Sequence, residues 1–149
     1  MESTRKAEQR EDEILSSVLR AQVLMLRLVK SCSAKEGLTV QQFGVLRFLW
    51  KGEPMTMNAL SDLLKVSPPV VTGIVDRVEA KKLIKRNPSS ADRRRTEIVL
   101  TEKGKRAYQN ISEEYRKLVL DSLKYSLSRE EQETLAGLLV KFSREIRFD

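Results

Sequence analysis

The first 37 residues carry an apolar stripe with the spacing of an amphipathic helix. Between Glu8 and about Lys35 the chain contains neither proline nor glycine. Apolar positions recur there at alternating spacings of four and three residues: Ile14, Val18, Ala21, Met25, Leu28 and Cys32. This spacing predicts a helix with a coiled-coil-like seam. A second stripe lies beside it at Leu15, Leu19, Leu26 and Val29. The apolar arc is therefore wide enough for two packing partners, of which a second subunit is one candidate.

The middle of the chain predicts three shorter helices. Gly37 ends the first helix and a second begins near Thr39. The inward face of this helix is supplied by Phe43, Leu46 and either Leu49 or Trp50. Gly52 and Pro54 stop it. Thr56 is an N-cap candidate for a third helix, Met57–Leu64, in which we expect Leu60, Leu63 and Leu64 to pack inward.

The next helix follows after a turn of two residues. Ser67 is its candidate cap, and Pro68 and Pro69 suit the first helical positions, which need no N–H group. The inward stripe is Val71, Ile74, Val75 and Val78. Thr72, Gly73, Asp76 and Arg77 then point elsewhere. The two helices around the turn form a predicted helix–turn–helix.

After Leu83 the apolar period changes from that of a helix to that of a strand. Residues 84–86 and 96–100 alternate with a period of two and are separated by the turn-rich stretch 87–92. We therefore predict a β-hairpin, or wing, directly after the helix–turn–helix.

Two further helices complete the pattern. Thr101 is a candidate N-cap for a long helix that reaches about Tyr125, with Ala107, Ile111, Tyr115 and Leu118 on one stripe. Ser128 and Glu131 form a capping box for the last helix. Its apolar face is Leu135, Leu138, Leu139, Phe142 and Ile146. The predicted fold is mostly α with a small β-hairpin wing: dimerisation helices at 1–37 and 101–149 flank a winged helix–turn–helix at 38–100.

Composition narrows the function. At 149 residues the chain has room for one domain, or for one small domain with appended helices. The absence of histidine removes His-dependent hydrolases and His-bearing zinc sites. A single cysteine excludes an internal disulfide and fits a reducing compartment. No stretch approaches the length of an apolar membrane span, so we expect a soluble cytoplasmic protein without cofactor or metal.

Positive charge is concentrated in the predicted wing. The whole chain carries +7, whereas residues 81–95 alone carry +6, from seven cations against Asp92. A local patch of this kind is typical of a site for a polyanion, and we favour nucleic acid. A winged helix that contacts another protein is the alternative.

Five segments together resemble the MarR family of winged-helix transcription regulators, over essentially the whole chain. They are SPPVVT at 67–72, DRVE at 76–79, LIKR at 83–86, DRR at 92–94 and IVLTEKG at 98–104. The resemblance implies a homodimer built by its terminal helices. It also implies binding to palindromic operators on double-stranded DNA, usually as a repressor. Many members release DNA on binding a phenolic or other small anionic effector, or on cysteine oxidation.

The resemblance implies that Arg94 enters the minor groove while Asp92 holds its guanidinium in place. A solvated charge run with a surface ion pair is the alternative. On the recognition helix, Thr72 and Arg77 are candidates for phosphate or base contacts, and Val70 either meets a thymine methyl or extends the core. The candidate DNA-binding set is Ser67, Pro68, Val70, Thr72, Gly73, Arg77, Asp92, Arg93, Arg94 and Arg95.

The candidate dimerisation set is Ile14, Val18, Met25, Leu28, Leu135, Leu139, Phe142 and Ile146. Cys32 lies on the same seam, where a buried filler is a stronger interpretation than a redox sensor. Tyr108, Tyr115 and Tyr125 are candidates for an effector pocket, for the core or for an interface. Lys65 and Lys82 stand where relatives often have glycine, and a left-handed backbone there costs about 1 kcal/mol. No nucleotide-binding loop, nucleophile elbow or catalytic carboxylate pair is present, so we expect no enzymatic activity.

Overall fold

The computed structural model describes residues 2–89 and 96–145, with side chains for 5–89 and 96–144. Within these residues the elements follow the order α1 (Glu2–Lys35), α2 (Val40–Leu49), α3 (Met57–Leu64), α4 (Pro68–Ala80), β1 (Ile84–Pro88), β2 (Thr96–Leu100), α5 (Glu102–Ser126) and α6 (Arg129–Glu145). β1 and β2 pair as an antiparallel hairpin, with Ile84 opposite Leu100 and Pro88 opposite Thr96. The predicted fold class, mostly α with a small wing, is confirmed.

Local caps explain where the helices begin and end. Thr39 and Gln42 form a capping box: Gln42 N–H donates to Thr39 Oγ1 at 3.2 Å, and Thr39 N–H donates to Gln42 Oε1 at 3.1 Å. Thr56 Oγ1 accepts from Ala59 N–H at 3.2 Å at the start of α3. Gly37 ends α1 in the left-handed conformation, at φ +67°, which glycine adopts without steric cost.

The core lies among α2, α3, α4 and the hairpin. Val45, Leu46, Leu60, Val75 and Ile98 are fully buried there. The predicted inward stripe of α4, which is Val71, Ile74, Val75 and Val78, is also buried. Ala107 and Ile111 add apolar side chains from the first half of α5. The winged helix thus has a core of its own within a single chain.

The structure corrects one predicted inward residue on α3 and decides between two candidates on α2. The sequence predicts that Leu63 packs inward, which is wrong, because Leu63 is 44% exposed. The buried face of α3 contains Leu60 and Ser61, and the Ser61 hydroxyl is satisfied by donating to the Val66 carbonyl at 2.6 Å. At about 100° per residue Leu63 therefore falls outside that face. On α2 the inward residue is Leu49, whereas Trp50 is partly exposed.

By its internal packing the chain divides into two compact units, Met1–Ser112 and Glu113–Asp149, so α5 passes from one to the other. In the second unit the predicted capping box of α6 is formed. Ser128 N–H donates to Glu131 Oε2 at 2.8 Å, and Glu131 N–H donates to Ser128 Oγ at 3.3 Å. The bond from the Ser128 backbone lowers the pKa of Glu131. The domain boundaries at residues 37 and 100 stay a prediction.

Candidate nucleic-acid interface

α3 and α4 are joined by a tight turn at residues 65–67. Lys65 occupies the left-handed region at φ 54° and ψ 44°, which reverses the chain at the end of α3. Val66 N–H then donates to the Ser61 carbonyl at 3.2 Å, in addition to the Ser61 hydroxyl bond. The turn is held by these bonds, and it sets the direction in which α4 leaves the core.

The start of α4 exposes polar groups that are not used inside the helix. Ser67 occupies the N-cap position, as predicted, but its side chain makes no capping hydrogen bond. Pro68 and Pro69 have no N–H to donate, and Val70 N–H already donates to the Ser67 carbonyl at 3.0 Å. Ser67 and Pro68 are exposed. This helix end therefore offers a free hydroxyl beside the positive end of a helix dipole.

The outer face of α4 collects the predicted recognition residues. Val70 is 46% exposed, which settles its two alternatives in favour of the surface. Thr72 and Arg77 are also exposed, and Thr72 Oγ1 donates to the Pro68 carbonyl at 2.9 Å. A Cβ built on Gly73 meets no atom within 4 Å, so the helix surface is open at this point. Thr72, Gly73 and Arg77 thus lie outside the buried stripe of α4, and Ser67, Pro68 and Val70 are exposed at its N-terminal end.

The base of the wing is fixed on both sides. Met55 adds a bridge to β2: its N–H donates to the Ile98 carbonyl at 3.1 Å, and Ile98 N–H donates back at 2.8 Å. Near β1, a Cβ on Gly104 would lie 1.9 Å from the Leu83 carbonyl oxygen, so only glycine allows this approach of α5. The wing residues Asp92, Arg93, Arg94 and Arg95 lie outside the described residues, and their predicted roles are untested.

Arg86 connects the wing to the recognition helix, a role that sequence analysis missed. Its guanidinium forms ion pairs with Asp76 Oδ1 at 2.6 Å and with Glu79. Its backbone N–H also donates to Glu79 Oε1, at 3.2 Å. The hydrogen bond with Asp76 is the largest cause that holds the pKa of Arg86 above its ordinary value. Opposite charges seven and ten residues apart on different elements give no periodic signal, so only the fold reveals the pairing.

Not every cation of the basic segment is free to contact DNA. The charge of Arg86 is matched by two carboxylates, and Lys81 Nζ donates to the Gly37 carbonyl at the end of α1. Lys82 and Lys85 are exposed, and no described carboxylate forms an ion pair with either. The positive surface that remains in the described segment is therefore smaller than the sequence count of +6 suggests.

The candidate effector and redox residues have mainly structural surroundings. Tyr108 stacks on Phe43 and Trp50, with ring centroids 5.7 Å and 4.6 Å away, so it takes the core alternative. Tyr125 is exposed on α5. Cys32 is buried, as its position on the seam predicts. In the part of the chain that the structure describes, no group of three metal-ligating side chains occurs, and no helix has the length and apolarity to cross a membrane.

Comparisons with known proteins agree with this geometry. The model of the MarR family matches residues 36–95. The chain is 34% identical over 107 residues to the HTH-type transcriptional regulator MgrA of Staphylococcus aureus, covering 72% of this chain and 71% of that protein. It is 26% identical over 142 residues to the HTH-type transcriptional repressor MdtR of Bacillus subtilis, covering 93% and 91%. Among solved structures, RV1404 from Mycobacterium tuberculosis superposes with a TM-score of 0.80 at 26% identity, covering 90% and 92%.

A helix–turn–helix with an exposed recognition face and a hairpin directly after it defines a winged-helix DNA-binding protein. Together with the match to the family model and to MgrA, these features place the chain within one family. It belongs to the MarR family and is a DNA-binding transcription regulator.

Proposed function

We propose that this regulator is a homodimeric repressor that binds a palindromic operator on double-stranded DNA. The observation that carries the proposal is the exposed apolar surface on two separate helices. On α1, Ile14 is 64% exposed, and on α6 Leu138 is 61% exposed. Apolar side chains at both helices continue these faces: Leu15, Val18, Leu19, Val23, Leu24, Leu26, Leu139, Val140 and Phe142. Surfaces of this extent mark an interface more often than a free monomer surface.

A second copy of the chain is the proposed partner of these faces. The interface residues are Ile14, Val18, Met25, Leu28, Leu135, Leu139 and Phe142, with Ile146 lying outside the described residues. Leu28 and Leu135 are already half-buried in one chain, whereas Ile14 and Leu139 gain most from a partner. A two-fold axis would repeat the recognition helix on one side of the duplex, with half-sites about 10 bp apart.

We propose that α4 lies in the major groove. The residues that would face the DNA are Ser67, Pro68, Val70, Thr72, Gly73 and Arg77, because none of them belongs to the buried stripe of this helix. In the wing, Arg94 would insert into the minor groove with Asp92 orienting it, while Arg93 and Arg95 contact phosphates. The positive charge of the three adjacent wing arginines, Arg93, Arg94 and Arg95, supports this placement, since phosphate contacts dominate the affinity of such proteins.

Selection from random duplex DNA tests the operator directly. We expect a palindrome to be enriched and to bind at least a thousandfold more tightly than random duplex. Binding should weaken steeply with salt. An equal affinity for all sequences would favour the alternative, a winged-helix module for protein interaction or DNA architecture without a regulated operator.

The wing is tested by Arg94→Ala, with Arg116→Ala, an exposed position on α5, as a control of equal charge. Loss of a minor-groove arginine should cost about 1 to 3 kcal/mol of operator affinity, and the control should cost little. Asp92→Ala should have the smaller effect of the two wing variants, because it also removes a negative charge from the DNA face. If a folded Arg94→Ala protein bound the operator with wild-type affinity, the wing arginines would be solvent-exposed charges without a DNA contact.

A small anionic or phenolic effector that releases DNA completes the proposal. The first unit contains a cavity of about 440 Å³ with Lys81, Lys103 and Arg106 on its wall and with Leu83 and Ala107 beside them. Cations beside apolar side chains suit an organic carboxylate. Titration of benzoate into wild type and Lys103→Gln, followed by its effect on operator binding, tests this part. Equal effects in both proteins would exclude the cavity as the effector site.

A further inference from the structure

Two lysines adopt a backbone conformation that favours glycine. Lys65 has φ 54° and Lys82 has φ 60°, and the other described residues with positive φ are glycines. Both lysines are exposed. The Cβ atom of a lysine makes the left-handed region costly, and glycine avoids that cost. A strained residue that persists at a surface is a reason to look for a function of its side chain.

The backbone around each lysine has a clear structural task. Lys65 N–H donates to the Asp62 carbonyl at 3.3 Å within the turn that starts α4. Lys82 N–H donates to the Glu79 carbonyl at 2.7 Å, and the Lys82 carbonyl accepts from Thr101 Oγ1 at 2.8 Å. These bonds use main-chain atoms that glycine also has. The folded chain therefore needs a left-handed residue at both positions but does not need a lysine.

Neither lysine side chain is used within the part of the chain that the structure describes. No hydrogen bond or ion pair to Nζ of Lys65 or Lys82 occurs among the described residues, even though Asp62 precedes Lys65 by one helical turn. Each side chain thus presents a full positive charge to solvent.

The two lysines differ in their position along α4. Lys65 precedes the N-terminal end of this helix, which is the end that a helix–turn–helix directs into the major groove. Lys82 follows the other end, about 20 Å away along a helix of 13 residues. β1 then leads back from Lys82 toward the tip of the wing. Lys82 therefore lies where α4 and β1 are most distant from the proposed DNA, whereas Lys65 lies beside the end of α4 that approaches it.

We propose that Lys65 contacts a DNA phosphate beside the entry of the recognition helix, and that this charge is kept at the expense of folding stability. Lys82 has the same backbone strain without a DNA contact. The proposal rests on the orientation of α4 proposed above, and it adds a contact outside the recognition helix and the wing.

Four variants separate charge from backbone strain. Lys65→Gln keeps Cβ and removes the charge, so binding to a labelled random-sequence 30-bp duplex should weaken about fivefold in moderate salt, and the slope of log affinity against log salt should fall by about 0.9. Lys65→Gly should weaken binding equally while raising Tm by about 1 to 4 °C. Lys82→Gly should raise Tm to a similar extent, and both Lys82→Gln and Lys82→Gly should bind within twofold of wild type.

The following outcomes would contradict the proposed contact between Lys65 and DNA. If wild type binds the duplex with a steep salt dependence and Lys65→Gln binds equally well, then Lys65 makes no contact, while the proposed function stands. If Lys82→Gln loses as much affinity as Lys65→Gln, the effect is one of net charge and not of position. If wild type does not bind duplex DNA at all, the proposed function fails together with the contact. Lys65→Arg, which keeps the charge, should retain wild-type affinity, and a fivefold loss would also contradict the phosphate contact.

Discussion

The winged helix and the helical arms differ in how they satisfy their apolar residues. In the winged helix, side chains such as Leu46, Leu60 and Ile98 are fully buried by neighbours from the same chain. On α1 and α6, side chains such as Ile14 and Leu138 are more than half exposed. Burial of a large aliphatic side chain contributes about 1.5 to 3 kcal/mol, so the arms leave much stabilisation unrealised in a single chain. The core of the winged helix is thus formed within one chain, whereas the proposed dimer would cover the apolar faces of the arms.

The change from exposed to buried side chains occurs within α1 itself. Near its end, Cys32 and Ser33 are buried in the first unit, but described side chains from Arg5 to Arg27 are exposed. Helix propensity and the absence of glycine or proline extend α1 through both parts. One continuous helix would therefore connect the proposed dimer interface to the winged helix.

A charge on an arm should give the largest effect. Ile14→Glu or Leu139→Glu places a carboxylate on an apolar face that is repeated in both copies, so the loss counts twice and amounts to about 3 to 6 kcal/mol. The dimer dissociation constant should rise by roughly a hundredfold to ten-thousandfold. Sedimentation equilibrium measures this change, and operator affinity should fall with it.

Arg20→Gln is the control for charge alone, because it changes the net charge by the same amount and Arg20 is exposed on the side of α1 opposite the two apolar stripes. It should leave the dimer intact. If the wild-type protein were monomeric at micromolar concentration, the proposal that a second copy covers the apolar faces of α1 and α6 would be wrong.

A cavity in the winged helix should destabilise the chain irrespective of assembly. Leu60→Ala should lower the free energy of unfolding by about 2 to 5 kcal/mol, because Leu60 is fully buried. Leu63→Ala makes the same substitution one turn away at an exposed position and should cost less than about 1 kcal/mol. Urea denaturation compares the two variants, and the dimer dissociation constant of the folded Leu60→Ala protein should match wild type. Equal losses at both positions would mean that α3 has another buried face in the assembly.

A methyl group at the wing base should have an intermediate effect. The Cβ of Gly104→Ala would meet the Leu83 carbonyl oxygen at 1.9 Å, so α5 or the wing base must move, at a cost of about 1 to 3 kcal/mol. Gly73→Ala, in open space on α4, should instead stabilise the chain by about 0.5 to 1 kcal/mol. Denaturant titration gives both values. If Gly104→Ala had the same free energy of unfolding as wild type, α5 and the wing base could move apart at little energetic cost.

Prediction from sequence succeeded where the determinants are local. The predicted α3, Met57–Leu64 after Thr56, matches the structure at both ends, because a cap and a periodic stripe lie within one short segment. It failed where tertiary contacts decide. The predicted inward position of Leu63 is wrong, since the buried face of α3 contains Ser61, which bonds to the following turn. The pairing of Arg86 was missed because its carboxylates lie on another element.

The smallest effect is expected from breaking the link between recognition helix and wing. Arg86→Gln removes both ion pairs and leaves Asp76 and Glu79 as neighbouring carboxylates without their counter-ion. The Arg86 side chain is 29% exposed, so solvent screening limits the loss to about 1 kcal/mol of stability. Arg129→Gln, which breaks an exposed i,i+4 pair with Glu133 on α6, is the control and should cost less than about 0.5 kcal/mol. The loss of stability in Arg86→Gln should shrink in 1 M salt, where exposed charges are screened within about 3 Å.

Because Arg86 connects β1 to α4, we expect Arg86→Gln to reduce the free energy of operator binding by more than it reduces the free energy of unfolding. If affinity and stability fell in parallel, or if Arg129→Gln weakened DNA binding equally, Arg86 would be a surface charge with no role in orienting the wing.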